Sequence, residues 1–387
     1  MNFFPTPTTT LACLASGSLL APAVSQAQIE HLGGDLGGNS RNTTVSADGS
    51  TVVFNHNTGT RYGYRWNALD GAERLPAPVN QPTQALAVSD DGSRVVGSVG
   101  PETARVAALW GATGTLTLLG SVGGPNSVAN RISGDGSTVA GFIGSASDEP
   151  RAFIWTSAGT VDLGTLGGAE SRVQALSFDG QVAVGASTNA AGVLRAFRWT
   201  SATGMQDLGH APEQSSEAIR VSSGGEVISG LISESGSGND TEVFRWTAST
   251  GLENLGTAGG LKTRSVVMSA DGSTITGSEF MQNGIFTEAY LWTAATGMTT
   301  PFPERDMWPR DISADGTTIV GRMPTGEGVR IQAFRWRSTT GLEVLDQLSD
   351  NTAHQALSVS ADGRTIVGLS DEESTRERAV SWRESGA

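Results

Sequence analysis

One motif recurs through the whole chain and limits what it can fold into. Segments related to Val-Ser-Ala-Asp-Gly-Ser-Thr-Val-Val at 45–53 place a turn glycine every 43 to 47 residues, at Gly49, Gly92, Gly136, Gly180, Gly225, Gly272, Gly316 and Gly363. Tryptophan recurs with a similar spacing, at Trp66, Trp110, Trp155, Trp199, Trp246, Trp292, Trp336 and Trp382. Two independent markers with one period indicate eight copies of one structural unit.

Each unit has the pattern of four short β-strands. In residues 129–166, an alternating segment leads into the pair Asp135-Gly136, which suits a tight hairpin because glycine accepts a positive φ. A β-branched strand follows, then a strand that places Phe153 and Trp155 on one face, then a short fourth strand. Helix is disfavoured because glycine and β-branched residues are dense and a 3.6-residue period is absent.

The two ends of the chain indicate a closed ring. The last unit stops at its third strand, Ser381-Trp382-Arg383, while residues 29–33 resemble the fourth-strand phrase at 161–164. A ring needs this complementarity, because the N-terminal strand then covers an exposed sheet edge. The sequence therefore predicts one all-β domain over 28–387, an eight-bladed β-propeller of four-stranded repeats of about 45 residues. An open β-solenoid is the alternative.

The N-terminal segment has the pattern of an export signal. The apolar stretch 11–23 is too short to span a bilayer and is followed by Ser25-Gln26-Ala27, a small-x-small cleavage pattern. We therefore predict that residues 1–27 are a signal peptide cleaved near Ala27, and that the protein is secreted or periplasmic in a bacterium. The single cysteine, Cys13, lies in this segment, and we expect no membrane span after its removal.

Charge and motifs exclude several classes of function. Lys+Arg 25 against Asp+Glu 39 gives a net charge of −14, so we expect no nucleic-acid partner. The sequence has neither a Gly-x-Ser-x-Gly nor a His-Glu-x-x-His motif, and its four histidines are far apart. One Asp per turn falls short of the six or more oxygens that calcium prefers. We predict a monomer without a metal or cofactor, and assign no catalytic residue.

The repeated phrases also resemble a known family. Leu-Gly-x-Leu-Gly-Gly turns, Ser-Ala-Asp-Gly hairpins and Val-Val-Gly strands occur with Arg151-Ala152-Phe153, Arg195-Ala196-Phe197 and Gln332-Ala333-Phe334. Together they resemble the bacterial extracellular HAF repeat family, with Arg or Gln where the family has its histidine. The resemblance covers nearly the whole chain after residue 27. It implies an exported propeller-like repeat protein and supplies no site residues.

Residues that depart from the repeat are the best candidates for a site. The clearest departure is the segment 301–311, which contains the one tryptophan outside the register. In a propeller, the loops from fourth to first strand and from second to third strand share one face, which we call the loop face. The candidate ligand-binding residues there and near the axis are Arg131, Gln174, Arg220, Glu304, Arg305, Trp308, Arg310 and Asp311.

An aromatic plane with arginine donors and carboxylate acceptors suits a carbohydrate or a peptide. We therefore predict a non-catalytic protein that binds an extracellular glycan or a protein partner through the loop face. The first alternative is a polysaccharide-acting glycosidase or lyase that uses carboxylates and arginines of the same face. A second alternative is a spacer in which segment 301–311 only plugs the end of the channel.

Overall fold

The structure is a computed structural model, and the residues it describes are 28–33, 39–79, 81–120, 126–144, 149–209, 211, 213–233, 241–260, 262–281, 286–324, 330–348, 353–372 and 376–384. The predicted signal peptide and its cysteine lie outside these ranges. Within them the chain forms strands and turns, and no helix there is long and apolar enough to cross a membrane.

The described residues form 32 β-strands. In chain order they are β1 (Gln28–His31), β2 (Asn39–Val45), β3 (Thr51–Asn57), β4 (Arg61–Asn67), β5 (Gly71–Arg74), β6 (Thr83–Val88), β7 (Val95–Val99), β8 (Val106–Trp110), β9 (Leu116–Leu118), β10 (Ser127–Ile132), β11 (Val139–Ile143), β12 (Arg151–Thr156), β13 (Gly159–Asp162), β14 (Gly167–Leu176), β15 (Ala183–Asn189), β16 (Leu194–Thr200), β17 (Gly204–Asp207), β18 (Ser215–Val221), β19 (Val227–Ser233), β20 (Thr241–Thr247), β21 (Gly251–Gly256), β22 (Lys262–Met268), β23 (Thr274–Phe280), β24 (Thr287–Thr293), β25 (Gly297–Thr299), β26 (Trp308–Ile312), β27 (Thr318–Pro324), β28 (Ile331–Arg337), β29 (Gly341–Val344), β30 (His354–Val359), β31 (Thr365–Glu372) and β32 (Arg376–Arg383).

These strands form eight antiparallel sheets of four, arranged as the blades of a closed propeller. Seven sheets use four consecutive strands, and the eighth has the order β1-β32-β31-β30. In that sheet Ile29 lies opposite Trp382, and His31 lies opposite Val380. The first strands of neighbouring sheets contact one another around the whole circle, β2 with β30 included, so they line the axis. The predicted eight-bladed propeller and its closure by the N-terminal strand are confirmed.

Most of the apolar core lies between neighbouring blades. Trp110 and Trp382 are fully buried, and their indole nitrogens donate hydrogen bonds to the carbonyls of Pro76 and Asp346. The other tryptophans of the repeat are buried or packed against the same interblade clusters. The eight tryptophans therefore hold adjacent blades together.

The Asp-Gly turns close a hydrogen-bonded circle on the face opposite the loop face, which we call the turn face. Every repeated turn glycine has a φ between 65° and 78°. One backbone hydrogen bond of 2.7–3.1 Å joins each turn to the next, from the amides of Asp48, Asp90, Asp135, Phe178, Ser223, Ala270, Ala314 and Ala361 to the carbonyls of Asp90, Gly134, Phe178, Ser223, Ala270, Ala314, Ala361 and Ala47. Seven turns also carry an aspartate that accepts bonds from the serine two residues earlier and the amide two residues later.

A β-bulge in the first strand explains the glycine of the Val-Val-Gly phrase in seven of the eight sheets; the first sheet has Phe54 at that position. The register between first and second strands shifts in all eight sheets. In the second sheet the shift lies between Ala85 and Ala87, and the carbonyl of Gln84 approaches the next strand. A Cβ on Gly97 would lie 1.7 Å from that oxygen, so only glycine fits.

Candidate functional site

Segment 301–311 joins the sixth sheet to the seventh and is fixed at both ends. Phe302 packs on Trp336, with ring centroids 4.9 Å apart, and Met307 is fully buried in the interblade core. Asp306 has a φ of 58°, and its carboxylate accepts a 2.7 Å hydrogen bond from the amide of Thr287. The segment therefore presents its remaining residues from a rigid base.

Trp308 begins β26 on the loop face and is surrounded by arginine side chains. The guanidinium carbon of Arg322, its partner across the sheet, lies 3.9 Å from the indole centroid, and that of Arg264 lies 5.2 Å away. Arg264 also lies 4.7 Å from the centroid of Phe280. The indole nitrogen donates to the hydroxyl of Thr287. Trp308 therefore orients Arg264 and Arg322, and its indole nitrogen already has a hydrogen-bond partner within the protein.

A small pocket opens beside this indole, between the inner strands of the sixth and seventh sheets. It has a volume of about 120 Å³ and is lined by Arg264, Arg310, Arg322 and Trp308, together with small residues. We call it the arginine pocket. Arg264 and Arg310 are exposed at its mouth, while Arg322 is half-buried. Arg264 and Arg310 are the bulged residues of β22 and β26, and a bulge redirects a side chain in this way.

The charge of the arginine pocket is not compensated within the part of the chain that the structure describes. No described carboxylate forms an ion pair with Arg264, Arg310 or Arg322, and the Nε of Arg322 is buried without a hydrogen-bond partner. Burial, with the nearby Arg310 and Arg264, lowers the pKa of Arg322 to about 10. Arg310 is exposed at the mouth, but the pocket still removes part of its hydration, and this partial desolvation and the charge of Arg264 lower the pKa of Arg310.

A second polar cluster lies around the axis. Arg131 donates to the backbone carbonyl of Gln174 and, at 3.3 Å, to its amide oxygen. Gln174 in turn donates a 2.7 Å hydrogen bond to Glu217. Burial and the charge of Arg220 lower the pKa of Arg131 to about 10. Three adjacent blades are thus joined by one row of polar side chains.

Asp311 lies in the same axial region and has a structural role. Its carboxylate accepts 2.9 Å bonds from the hydroxyl of Ser358 and the amide of Val359, on the next blade. Burial raises its pKa, although these bonds and the charge of Arg220 act in the opposite direction. Its polar atoms therefore connect the seventh blade to the eighth.

The structure divides the predicted site residues among separate places. Trp308 and Arg310 belong to the arginine pocket, and Arg131, Gln174, Arg220 and Asp311 belong to the axis. Glu304 and Arg305 are exposed on the loop, where the guanidinium carbon of Arg305 lies 5.7 Å from the ring centroid of Phe286.

Sequence reasoning missed Arg264, Arg322 and Glu217. Aligning the repeats on the turn glycine would have revealed two of them. Trp308, Arg264 and Glu217 each stand eight residues before their turn glycine.

The loop face carries another pocket, between the first and second blades. Its volume is about 330 Å³. Its lining includes the amides of Asn57 and Gln84, the hydroxyls of Thr60, Thr83 and Ser98, and the charged side chains of Arg61, Glu102 and Arg105. Amides and hydroxyls both donate and accept hydrogen bonds, as sugar hydroxyls do. No three described His, Cys, Asp or Glu side chains anywhere in the structure are grouped so that they could hold a metal ion.

These features define an all-β repeat protein of the eight-bladed propeller class. No protein-family model matches the chain, and no curated protein matches it. Among solved structures, an oligogalacturonate lyase in complex with manganese is 15% identical, with 94% of this chain and 95% of that chain covered and a TM-score of 0.54. Dipeptidyl peptidase 4 of Porphyromonas gingivalis is 12% identical, with 93% and 59% covered and a TM-score of 0.61.

A prolyl endopeptidase is also similar, at 12% identity, with 86% of this chain covered and a TM-score of 0.56. The chain spans only 54% of that enzyme's length. At these identities the similarity shows the propeller fold and transfers no residue role.

Proposed function

We propose that this protein is an exported, non-catalytic repeat protein that binds an extracellular glycan through its loop face. One observation carries the proposal: on that face, the arginine pocket keeps three guanidinium groups that no described acid neutralises. On the turn face, in contrast, backbone groups are joined in a closed circle. Guanidinium groups that form no ion pair within the protein are available to a ligand.

The amides and hydroxyls in the pocket between the first two blades, beside Arg61, Glu102 and Arg105, support a glycan rather than a protein partner. The resemblance to the HAF repeat family and the N-terminal segment support export. A monomer is proposed as well, because the closed ring covers the edge that the last sheet would otherwise expose.

The test is binding of residues 28–387 to a panel of neutral and acidic glycans, with analysis of the glycans afterwards. We expect binding without release of reducing or unsaturated ends. Release of such ends would instead support the glycosidase or lyase alternative. If no glycan of the panel binds, the result would contradict the proposal and support the spacer alternative. Capture of a protein partner that competes with no glycan would also contradict the proposal.

Export is tested separately, by expressing the full chain in a bacterium and sequencing the N-terminus of the exported product. We expect the product to begin at Gln28. A product that keeps residues 1–27 and stays in the cytoplasm would contradict it.

A further inference from the structure

We infer that the arginine pocket binds a carboxylate group of an acidic polysaccharide, with Arg264, Arg310 and Arg322 as ligand-binding residues and Trp308 as the positioning residue of Arg264 and Arg322. This inference rests on the proposed function and names the chemical class of the glycan.

Other arginines of the same chain are paired with acids of the protein. Arg335 is almost fully buried and is paired with Glu343 and Glu384, each at 2.5 Å. Arg195 is paired with Asp207 at 2.9 Å. The protein thus neutralises these two guanidinium groups with its own acids, and the buried Arg65 donates instead to backbone carbonyls. Among the described residues, no acid pairs with the three arginines of the pocket, so an anion from outside would complete the site.

Aromatic rings hold two of the guanidinium donors of the pocket in place. Trp308 and Phe280 hold Arg264 between two aromatic rings, and Trp308 also carries Arg322 on its ring. Guanidinium groups that are held in place lose less entropy when they bind, and each can donate two parallel hydrogen bonds to a carboxylate. The positions of Arg264 and Arg322 are therefore set before a ligand arrives.

The volume of the arginine pocket limits which part of a ligand can enter it. A volume of about 120 Å³ is the space of roughly four water molecules. It accommodates a carboxylate and the adjoining carbon, whereas the rest of a sugar must lie outside, at the exposed Arg264 and Arg310. Indole stacking against a sugar is not expected, because Arg322 lies over the Trp308 ring. The pocket thus recognises one charged group of a longer chain.

The experiment is calorimetric titration of residues 28–387 with an oligomannuronate and with the same oligomer after reduction of its carboxyl groups. We expect the acidic oligomer to bind at low salt and the reduced oligomer to bind at least tenfold more weakly. Arg264→Gln and Arg322→Gln should each weaken binding by roughly tenfold to a hundredfold, the usual effect of losing hydrogen bonds between charged groups.

Arg172→Gln is the matched control. Arg172 stands at the same position of its repeat as Arg264, eight residues before the turn glycine, but it is paired with Glu170 at 3.5 Å. We expect its affinity to be unchanged. Trp308→Phe should weaken binding less than Trp308→Ala, since phenylalanine keeps a ring beneath Arg322. Melting curves that match the unmodified protein confirm folding of each variant.

The outcomes separate this inference from the proposed function. Equal binding of the acidic and reduced oligomers, or unchanged affinity in a folded Arg264→Gln/Arg322→Gln double variant, overturns the carboxylate site but leaves glycan binding intact. Absence of glycan binding overturns both. If free acetate, sulfate or oligoglutamate binds as tightly as the oligomannuronate, the polysaccharide assignment is overturned. The pocket is then a site for anions in general or for acidic peptides.

Discussion

Leu32 offers the sharpest test of ring closure. It follows β1, is 2% exposed, and packs with Trp66 of the first blade and Ala379 of the last. Its amide also donates a 3.0 Å hydrogen bond to the carbonyl of Ala379. Replacing a buried leucine by alanine costs about 2–5 kcal/mol. For cooperative unfolding of a chain of this size, that corresponds to a fall in melting temperature of about 3–7 °C.

The assay is thermal and urea unfolding of residues 28–387 with the Leu32→Ala substitution. Leu118→Ala is the control, because Leu118 lies on the outer strand of the second blade and is 48% exposed. We expect the control to lose less than about 1 kcal/mol. Equal losses in the two variants would show that the N-terminal strand does not bind the last blade. That result would refute closure of the ring by β1.

Three further predictions concern the scaffold. Gly97→Ala should destabilise the fold by about 1–3 kcal/mol in urea unfolding, because the new Cβ would overlap the carbonyl of Gln84, whereas Gly111→Ala, with no atom nearer than 3.8 Å, should have little effect. Asp90→Asn should stabilise the protein at neutral pH, with a gain that disappears below the pKa of Asp90, since burial and three neighbouring aspartates raise that pKa. Asp91→Asn should destabilise it at neutral pH, because bonds from Ser89 and Ser93 lower the pKa of Asp91, and the loss should vanish as acid protonates that carboxyl. Equal signs for the two aspartate variants in pH-dependent unfolding would contradict this account.

The blade number and the closure could be predicted because they depend on periodicity alone. Eight turn glycines and eight tryptophans set the count, and the missing fourth strand of the last unit identified the partner of β1. The β-bulges could not be predicted in this way. A bulge depends on how a first strand pairs with its neighbour, and its sequence mark, the glycine of Val-Val-Gly, lies on the second strand.

Part of the arginine pocket could be located from the sequence. The departure of segment 301–311 from the repeat led to Trp308 and Arg310, which line that pocket. Arg322 was missed because it lies inside a regular second strand, where only the cross-strand register brings it opposite Trp308. The separation of Arg310 from Asp311 was missed as well, because the bulge between Pro309 and Asp311 sends neighbouring side chains to different places.

The bulged positions explain how one scaffold can carry a site without losing stability. The extra residue of the first strand is Leu86, Asn130, Gln174, Ile219, Arg264, Arg310 or Leu357 in seven of the blades. Six of these residues stand six positions before their turn glycine, and their side chains differ widely, so packing does not dictate the residue at that position; Arg264 stands eight positions before Gly272 and packs on Phe280 and Trp308. Arg310 therefore occupies a position that the fold leaves open, and no described acid pairs with it to offset its repulsion from Arg264. A folded Arg310→Asn variant, built after Asn130, should therefore keep the melting temperature and lose affinity for oligomannuronate. A variant that unfolds would show instead that Arg310 serves the scaffold.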